Sequence, residues 1–223
     1  MKVSEALDSR ISCRKFMPTP VPKETVQAIL NGAAQAPSNG NLQPWHVFAL
    51  TGDPLTAVLD DIAAQMAETP RGEKPEVPFY PDPLDEPYQS RRFKCGEDMY
   101  ASIGIARDNK IGRIRQFQRN FRLFDAPVGL YLYIDESMNP RQWGDVGMFA
   151  QSIMLLAREH GLHTCAQGAW GQFHSILRRH LSPKDGWILF CGIALGYMDE
   201  GDPINSLRTD RAELDDFAQF SGF

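Results

Sequence analysis

Three short stretches hold residue types that could do chemistry. In Arg10-Ile11-Ser12-Cys13-Arg14, two guanidiniums and a hydroxyl alternate along the chain, so on extended backbone they point to one side. Arginine grips phosphate oxygens in pairs, and such a trio suits a phosphate; a solvated basic turn after a short helix is the other reading. In Ala36-Pro37-Ser38-Asn39-Gly40-Asn41-Leu42-Gln43-Pro44-Trp45, small donors and acceptors surround a glycine free to take positive φ. That loop could read the polar edge of a heterocycle, and the same residues also suit a helix C-cap followed by a turn. In His163-Thr164-Cys165-Ala166-Gln167-Gly168-Ala169-Trp170, a strand end meets a glycine turn before a helix. Backbone N–H groups at such a turn either donate to a ligand or do no more than connect two elements.

Other candidates weaken on inspection. His160 and His163 flank a helix end, where the dipole alone favours a cationic histidine, and His174 and His180 read as surface positions on a helix. Asp60-Asp61 and Asp215-Asp216 are sequence neighbours that diverge on a helix, so neither pair is an acid/base dyad. No dinucleotide glycine fingerprint, phosphate-binding P-loop or zinc-protease motif occurs. The basic run Lys110 to Arg122 invites an RNA-binding reading. Its Ile111, Ile114, Phe117 and Phe121 fall at helical spacing, however, which predicts a core stripe with a solvated basic back.

These residues need elements to hold them. Apolar spacing and turn residues predict helices at Val3–Ser9, Lys23–Ala36, Leu55–Glu68, Ser90–Ile103, Asp108–Phe124, Asn139–His160, Phe173–Leu181 and Leu214–Phe220. Strands are predicted at Trp45–Thr51, Pro127–Ile134, Leu162–Ala166 and Trp187–Leu195. The Asn139–His160 helix is apolar on nearly all sides and should be buried on most of them. Thr69–Pro87 carries six prolines and no periodicity; a stretch of that length is functional or a linker, and a surface excursion acting as a lid fits best. Strands separated by dominant helices place the chain in the α/β or α+β class.

Composition bounds the rest. The chain has 223 residues, 43% of them apolar, and a net charge of −5. That is an ordinary globular protein of one domain or at most two small ones, with a charge that opposes bulk nucleic-acid binding. It is too short to hold separate dinucleotide and substrate domains. No apolar run is long enough for a membrane span, and the charged start, Met1-Lys2-Val3-Ser4-Glu5, does not read as a signal peptide. Four scattered cysteines fit neither a zinc site nor a disulfide framework and point to reduced thiols in the cytoplasm.

Taken in order, the segments resemble the nitroreductase family of FMN-dependent oxidoreductases over essentially the whole chain. The likeness rests on Arg10, Ser12, Arg14 and Phe16, Pro20-Val21-Pro22, Ala36-Pro37-Ser38 and Asn41-Leu42-Gln43-Pro44-Trp45. Ala126-Pro127-Val128, Gly147 to Ser152 and Gly196-Tyr197 add to it. The resemblance implies a single α+β domain over residues 1–223, a central, mainly antiparallel sheet wrapped by helices, in an intertwined homodimer. It also implies a lid or excursion at 69–104, a C-terminal arm at 197–223, and two FMN molecules at the interface.

Carried over by position, Arg10, Ile11, Ser12, Cys13 and Arg14 would bind the cofactor, its phosphate held by Arg10, Ser12, Arg14 and Arg211 or Arg208. Pro37, Ser38, Asn39, Asn41 and Gln43 would line the ribityl chain and ring, with Asn120 near the pyrimidine edge. Cys165, Ala166, Gln167 and Gly168 would follow the ring, the Gly168 N–H reaching flavin N5. Many relatives have Pro, one residue, then Glu where this chain has Ala166-Gln167-Gly168. The implied activity is ping-pong transfer from NADH or NADPH to a small aromatic acceptor, a nitroarene or quinone, without a metal, nucleic acid or membrane. Reductive dehalogenation, enone reduction, flavin fragmentation and non-catalytic flavin binding remain as alternatives on the same scaffold.

Overall fold

A computed structural model describes all residues, 1–223. Its centre is one antiparallel sheet of four strands in the order β1-β2-β4-β3: β1 His46–Leu50, β2 Val128–Asp135, β3 His163–Gln167 and β4 Trp187–Gly196. The two long apolar runs take the middle of the sheet because only there are both faces covered. Seven consecutive residues of β2, Val128 to Ile134, are buried.

Side-chain alternation along β2 builds two cores. Tyr131 and Tyr133 face one side with Phe121, Trp170 and Phe173, against α3 (Gly52–Glu68) and α7 (His174–Leu181). Leu130, Leu132 and Ile134 face the other side with Ile29, Phe149 and Ile153, against α2 (Lys23–Ala33) and α6 (Pro140–Glu159). Gly192 of β4 is required by packing, since a Cβ there would overlap the Trp170 indole. The remaining helices are α1 (Val3–Ser9), α4 (Tyr88–Ser102) and α5 (Lys110–Gln118). No helix is long and apolar enough to cross a membrane.

The α+β class and all four strands agree with expectation; four helical expectations need correction. The helix starting at Lys23 stops at Ala33 rather than Ala36. The helix expected to reach Phe124 ends at Gln118, and the chain tightens into a 3-10 turn, Arg119–Asp125. There Leu123, Phe124 and Asp125 take positive φ, which redirects Leu123 and Phe124 into the core. The core stripe expected on α5 is not one: Ile111, Ile114 and Phe117 are exposed, and only Phe121, beyond the helix end, is buried. Of the C-terminal helix expected at 214–220, a single turn forms, Leu214–Asp216.

The proline-rich stretch is not a free loop. Glu73 accepts from the Ser175 N–H (2.8 Å) and hydroxyl (2.6 Å) at the start of α7, where a helix leaves its N–H groups open to an acidic partner. Glu76 accepts from Arg178 at 2.9 Å. His174 lies between the two carboxylates, 3.6 Å from Glu73 and 3.9 Å from Glu76, so it belongs to this clasp rather than to open surface. His180, likewise expected at the surface, is paired with Asp61 at 2.7 Å. The strap so pinned covers the turn Gly168–Phe173, where Gly171 leaves room for Pro75 and Phe79.

Candidate functional site

The arginine segment runs beside the edge strand β3. Ser12 bridges Thr164, and the Cys13 N–H donates to the Thr164 carbonyl at 2.9 Å. The backbone here is extended, so Ile11 and Cys13 turn into the core while Arg10, Ser12 and Arg14 face partly outward. The predicted alternation therefore holds, and Ile11 and Cys13 can offer a ligand only their backbone. Burial pushes the Cys13 thiol up to about 12, which makes it a packing residue rather than a nucleophile.

Arg10 and Arg14 both act electrostatically on Cys165 of β3, and Arg208 acts on His163 two residues earlier. Ser12 is bridged to this strand, Arg14 donates back to the Ser12 carbonyl at 3.2 Å and Arg208 donates to the Asn205 carbonyl at 3.1 Å, so the three arginines lie near the same strand. Neither they nor Arg211 forms an ion pair with a carboxylate. Arg211 sits apart from the other three, in a recess beside Lys94 and Asp98 of α4, where it bonds Thr209 and the Asp210 carbonyl.

A residue that sequence reading missed holds this cluster. Asn205 is buried; its oxygen accepts from the Arg14 N–H at 2.8 Å, and its amide donates to the carbonyls of Lys15 and Asp199, each at 2.8 Å. From its own turn, Pro203–Ser206, it ties the Arg14 segment to the chain just before Arg208, and nothing local in the sequence marks a bond spanning 191 positions. His163 is also unlike its expectation. It is buried on β3 beside Arg158, and burial first, then Arg158 and Arg208, push its pKa down to about 4. It is neutral at pH 7, not a cation at a helix end.

Further along β3 the alternation continues. Thr164 faces its carbonyl toward the arginine segment, so the N–H groups of Ala166 and Gly168 point off the same outer edge. Both residues are exposed while Cys165 and Gln167 are buried. The outer edge thus ends in an open surface without bulky side chains and with a free backbone donor at Gly168. The Gln167 side chain serves structure: it donates to the Asn120 carbonyl (2.8 Å) and side-chain oxygen (3.1 Å), and accepts from Trp170 at 3.2 Å. Asn120 is thereby fixed two ways, its own amide donating to Phe117 at 2.8 Å.

The Ala36–Trp45 stretch is neither a helix cap nor part of the arginine cluster. The helix before it ends at Ala33, and Asn39–Asn41 forms its own 3-10 turn with Gly40 at φ 61° and Asn41 at φ 55°. Ser38 accepts from the Gln43 N–H at 3.0 Å, and the Asn39 N–H is held at 3.1 Å by Asp145, a buried carboxylate on α6. Pro37, Asn39, Asn41 and Gln43 are exposed. No hydrogen bond ties this loop to β3 or to residues 10–14 within the chain.

Cations without carboxylate partners along a sheet edge, with a bare backbone donor at its end, suit an anionic ligand. Residues 7–197 match the nitroreductase family. The chain is 36% identical to the chloronitrobenzene nitroreductase of Comamonas testosteroni, over 98% of this chain and 96% of that one. It is 38% identical to the 4-nitrobenzoate reductase of Pseudomonas putida, over 96% and 93%. Its fold superposes with a TM-score of 0.96, at 45% identity and over the whole of both chains, on the FMN and NADPH-dependent nitroreductase NfnB of Sphigopyxis sp. strain HMH. This chain belongs to the nitroreductase family.

Proposed function

We propose that the protein is an FMN-dependent oxidoreductase that takes electrons from NADH or NADPH and passes them, in ping-pong order, to nitroaromatic or quinone-type acceptors. The observation that carries this is the β3 edge: Arg10, Arg14 and Arg208 without carboxylate partners, followed by the bare Ala166–Gly168 surface. The donor set fits FMN. The arginines and Ser12 would neutralise and orient its phosphate, Ala166 and Gly168 let a flat ring approach, and the Gly168 N–H would donate to N5. Bound FMN would supply the two-electron chemistry, which side chains alone lack. A fixed N–H at that position stabilises charge that builds on the ring during reduction, at no cost in reorganisation.

One chain does not assemble the whole donor set, because Ser38, Asn39, Asn41 and Gln43 sit on α6 and not beside β3. We therefore infer a homodimer in which this loop completes the site of the second copy. In support, Met148 of α6, Ile111 and Ile114 of α5, and Phe217, Phe220 and Phe223 near the C-terminus are exposed apolar side chains that a second copy would cover. The lid at 69–104, the arm at 197–223 and a cytoplasmic setting belong to the same reading.

The deciding experiment is an anaerobic absorption spectrum of the purified protein, before and after NADH or NADPH. A flavin spectrum that bleaches with nucleotide and returns on adding nitrobenzene is expected. A colourless protein that takes up no FMN on reconstitution would falsify the reading.

A further inference from the structure

Beside Gly168 lies a cavity of about 370 Å3, at the small end of ligand sites. The strap contributes Phe79, α5 contributes Phe117, α6 Trp143 and β4 Phe190. Phe79 is the near wall, 3.8 Å from where a Cβ on Gly168 would stand. Trp143 and Phe190 meet at 5.8 Å between ring centroids. One charged side chain lines the cavity, Glu76, and it is an anion. Its neutralising cation, Arg178, lies outside the lining and is already engaged by Glu76 and the Trp187 carbonyl. Arg92 stacks on the Tyr80 ring at 4.2 Å and does not line the space either.

Resting on the FMN reading, we propose that this cavity receives the ring of the electron acceptor and selects uncharged nitroarenes over nitroarenes that carry a carboxylate. A neutral ring gains aromatic contact on several sides. A carboxylate entering the same space gives up its water and meets no cation among this chain's lining side chains, while Glu76, already matched by Arg178 at 2.9 Å, offers it no partner. Family membership alone does not decide this, since relatives are named for both kinds of compound: 4-nitrobenzoate in one case and nitrobenzene in another.

The test compares 4-nitrobenzyl alcohol with 4-nitrobenzoate on the FMN-loaded enzyme at fixed NADPH. The pair is closely matched in size and in the electron demand of the para group, so charge is what differs. Expected is a kcat/KM for the benzoate roughly tenfold or more below that of the alcohol, with the difference in KM. Benzyl alcohol should perturb the flavin spectrum at concentrations where benzoate does not, a readout independent of turnover. Val77→Lys, which puts a cation in the lining, should raise the benzoate value several-fold relative to the alcohol. Equal or better use of 4-nitrobenzoate by the wild type, or a folded Val77→Lys variant with an unchanged ratio, overturns the selection alone. A protein without FMN, or with FMN reoxidised by neither compound, overturns the reading on which it rests.

Discussion

Replacing Asn205 by alanine tests whether the phosphate cradle is held from the far end of the chain. The substitution leaves the Arg14 N–H without its acceptor and removes two amide bonds, to Lys15 and Asp199. The two carbonyls keep other donors, Asp199 N–H to Lys15 at 3.1 Å and Asp202 N–H to Asp199 at 3.4 Å, so the stranded group is the Arg14 N–H alone. A buried unsatisfied donor costs about 1–3 kcal/mol and each lost bond about 0.5–1.5, less where the partner is still served, for a total of about 2–4 kcal/mol. Urea unfolding of the apoprotein at fixed concentration should show that loss as a lower midpoint at unchanged slope. The more specific readout is affinity. With Arg14 and Arg208 no longer held together, FMN binding should weaken roughly tenfold or more while riboflavin, which lacks the phosphate, changes little. Asn205→Asp should be worse than alanine near neutrality, because it aims a carboxylate at two carbonyls. An alanine variant within about 0.5 kcal/mol of wild type, with an unaltered FMN-to-riboflavin affinity ratio, would refute the reasoning.

Two further predictions concern stability. His163 has a folded pKa of about 4 against an ordinary 6.5, so between those values the unfolded chain binds a proton that the folded chain refuses. Stability from this group is full above pH 6.5 and declines by about 3 kcal/mol in total as the pH falls toward 4; in His163→Gln, unfolding measured across that window should depend less steeply on pH. In Gly192→Ala, the new methyl meets the fully buried Trp170, and a loss of about 1–3 kcal/mol with an altered near-ultraviolet tryptophan signal is expected; a wild-type melt would show that the indole can move aside.

How much the sequence disclosed depended on the range of the physics involved. Strands such as β2 and β4 were legible because a continuous apolar run between turn residues has few other uses. The facing of Arg10, Ser12 and Arg14 was legible because alternation on extended backbone is local geometry. Asn205, Asp145 and the Glu73–Glu76 clasp were not, since each acts on residues about a hundred or more positions away, and an Asn or Glu in a polar stretch looks the same whether buried or solvated. His163 differs for another reason: its neighbours in sequence suggest a helix end, and only the packing of β3 shows that it is buried beside Arg158.

The α5 helix shows where periodicity stops informing. Ile111, Ile114 and Phe117 recur at helical spacing, and that spacing states that one face of the helix seeks cover. It does not state which chain supplies the cover. Within this chain the face stays open, while Phe117 at its end reaches the cavity beside Gly168. A helix that lines a site with one residue and leaves its other apolar residues to a second surface is difficult to retain in a monomer, because exposed apolar area gains nothing there and invites aggregation. In the proposed homodimer a second copy would cover this face and, in covering it, bring its own Ser38–Gln43 loop to the first copy's cofactor. On that proposal the apolar exposure on α5 and the incomplete donor set at β3 have one cause, and sedimentation of the FMN-loaded protein as a monomer would remove the explanation of both.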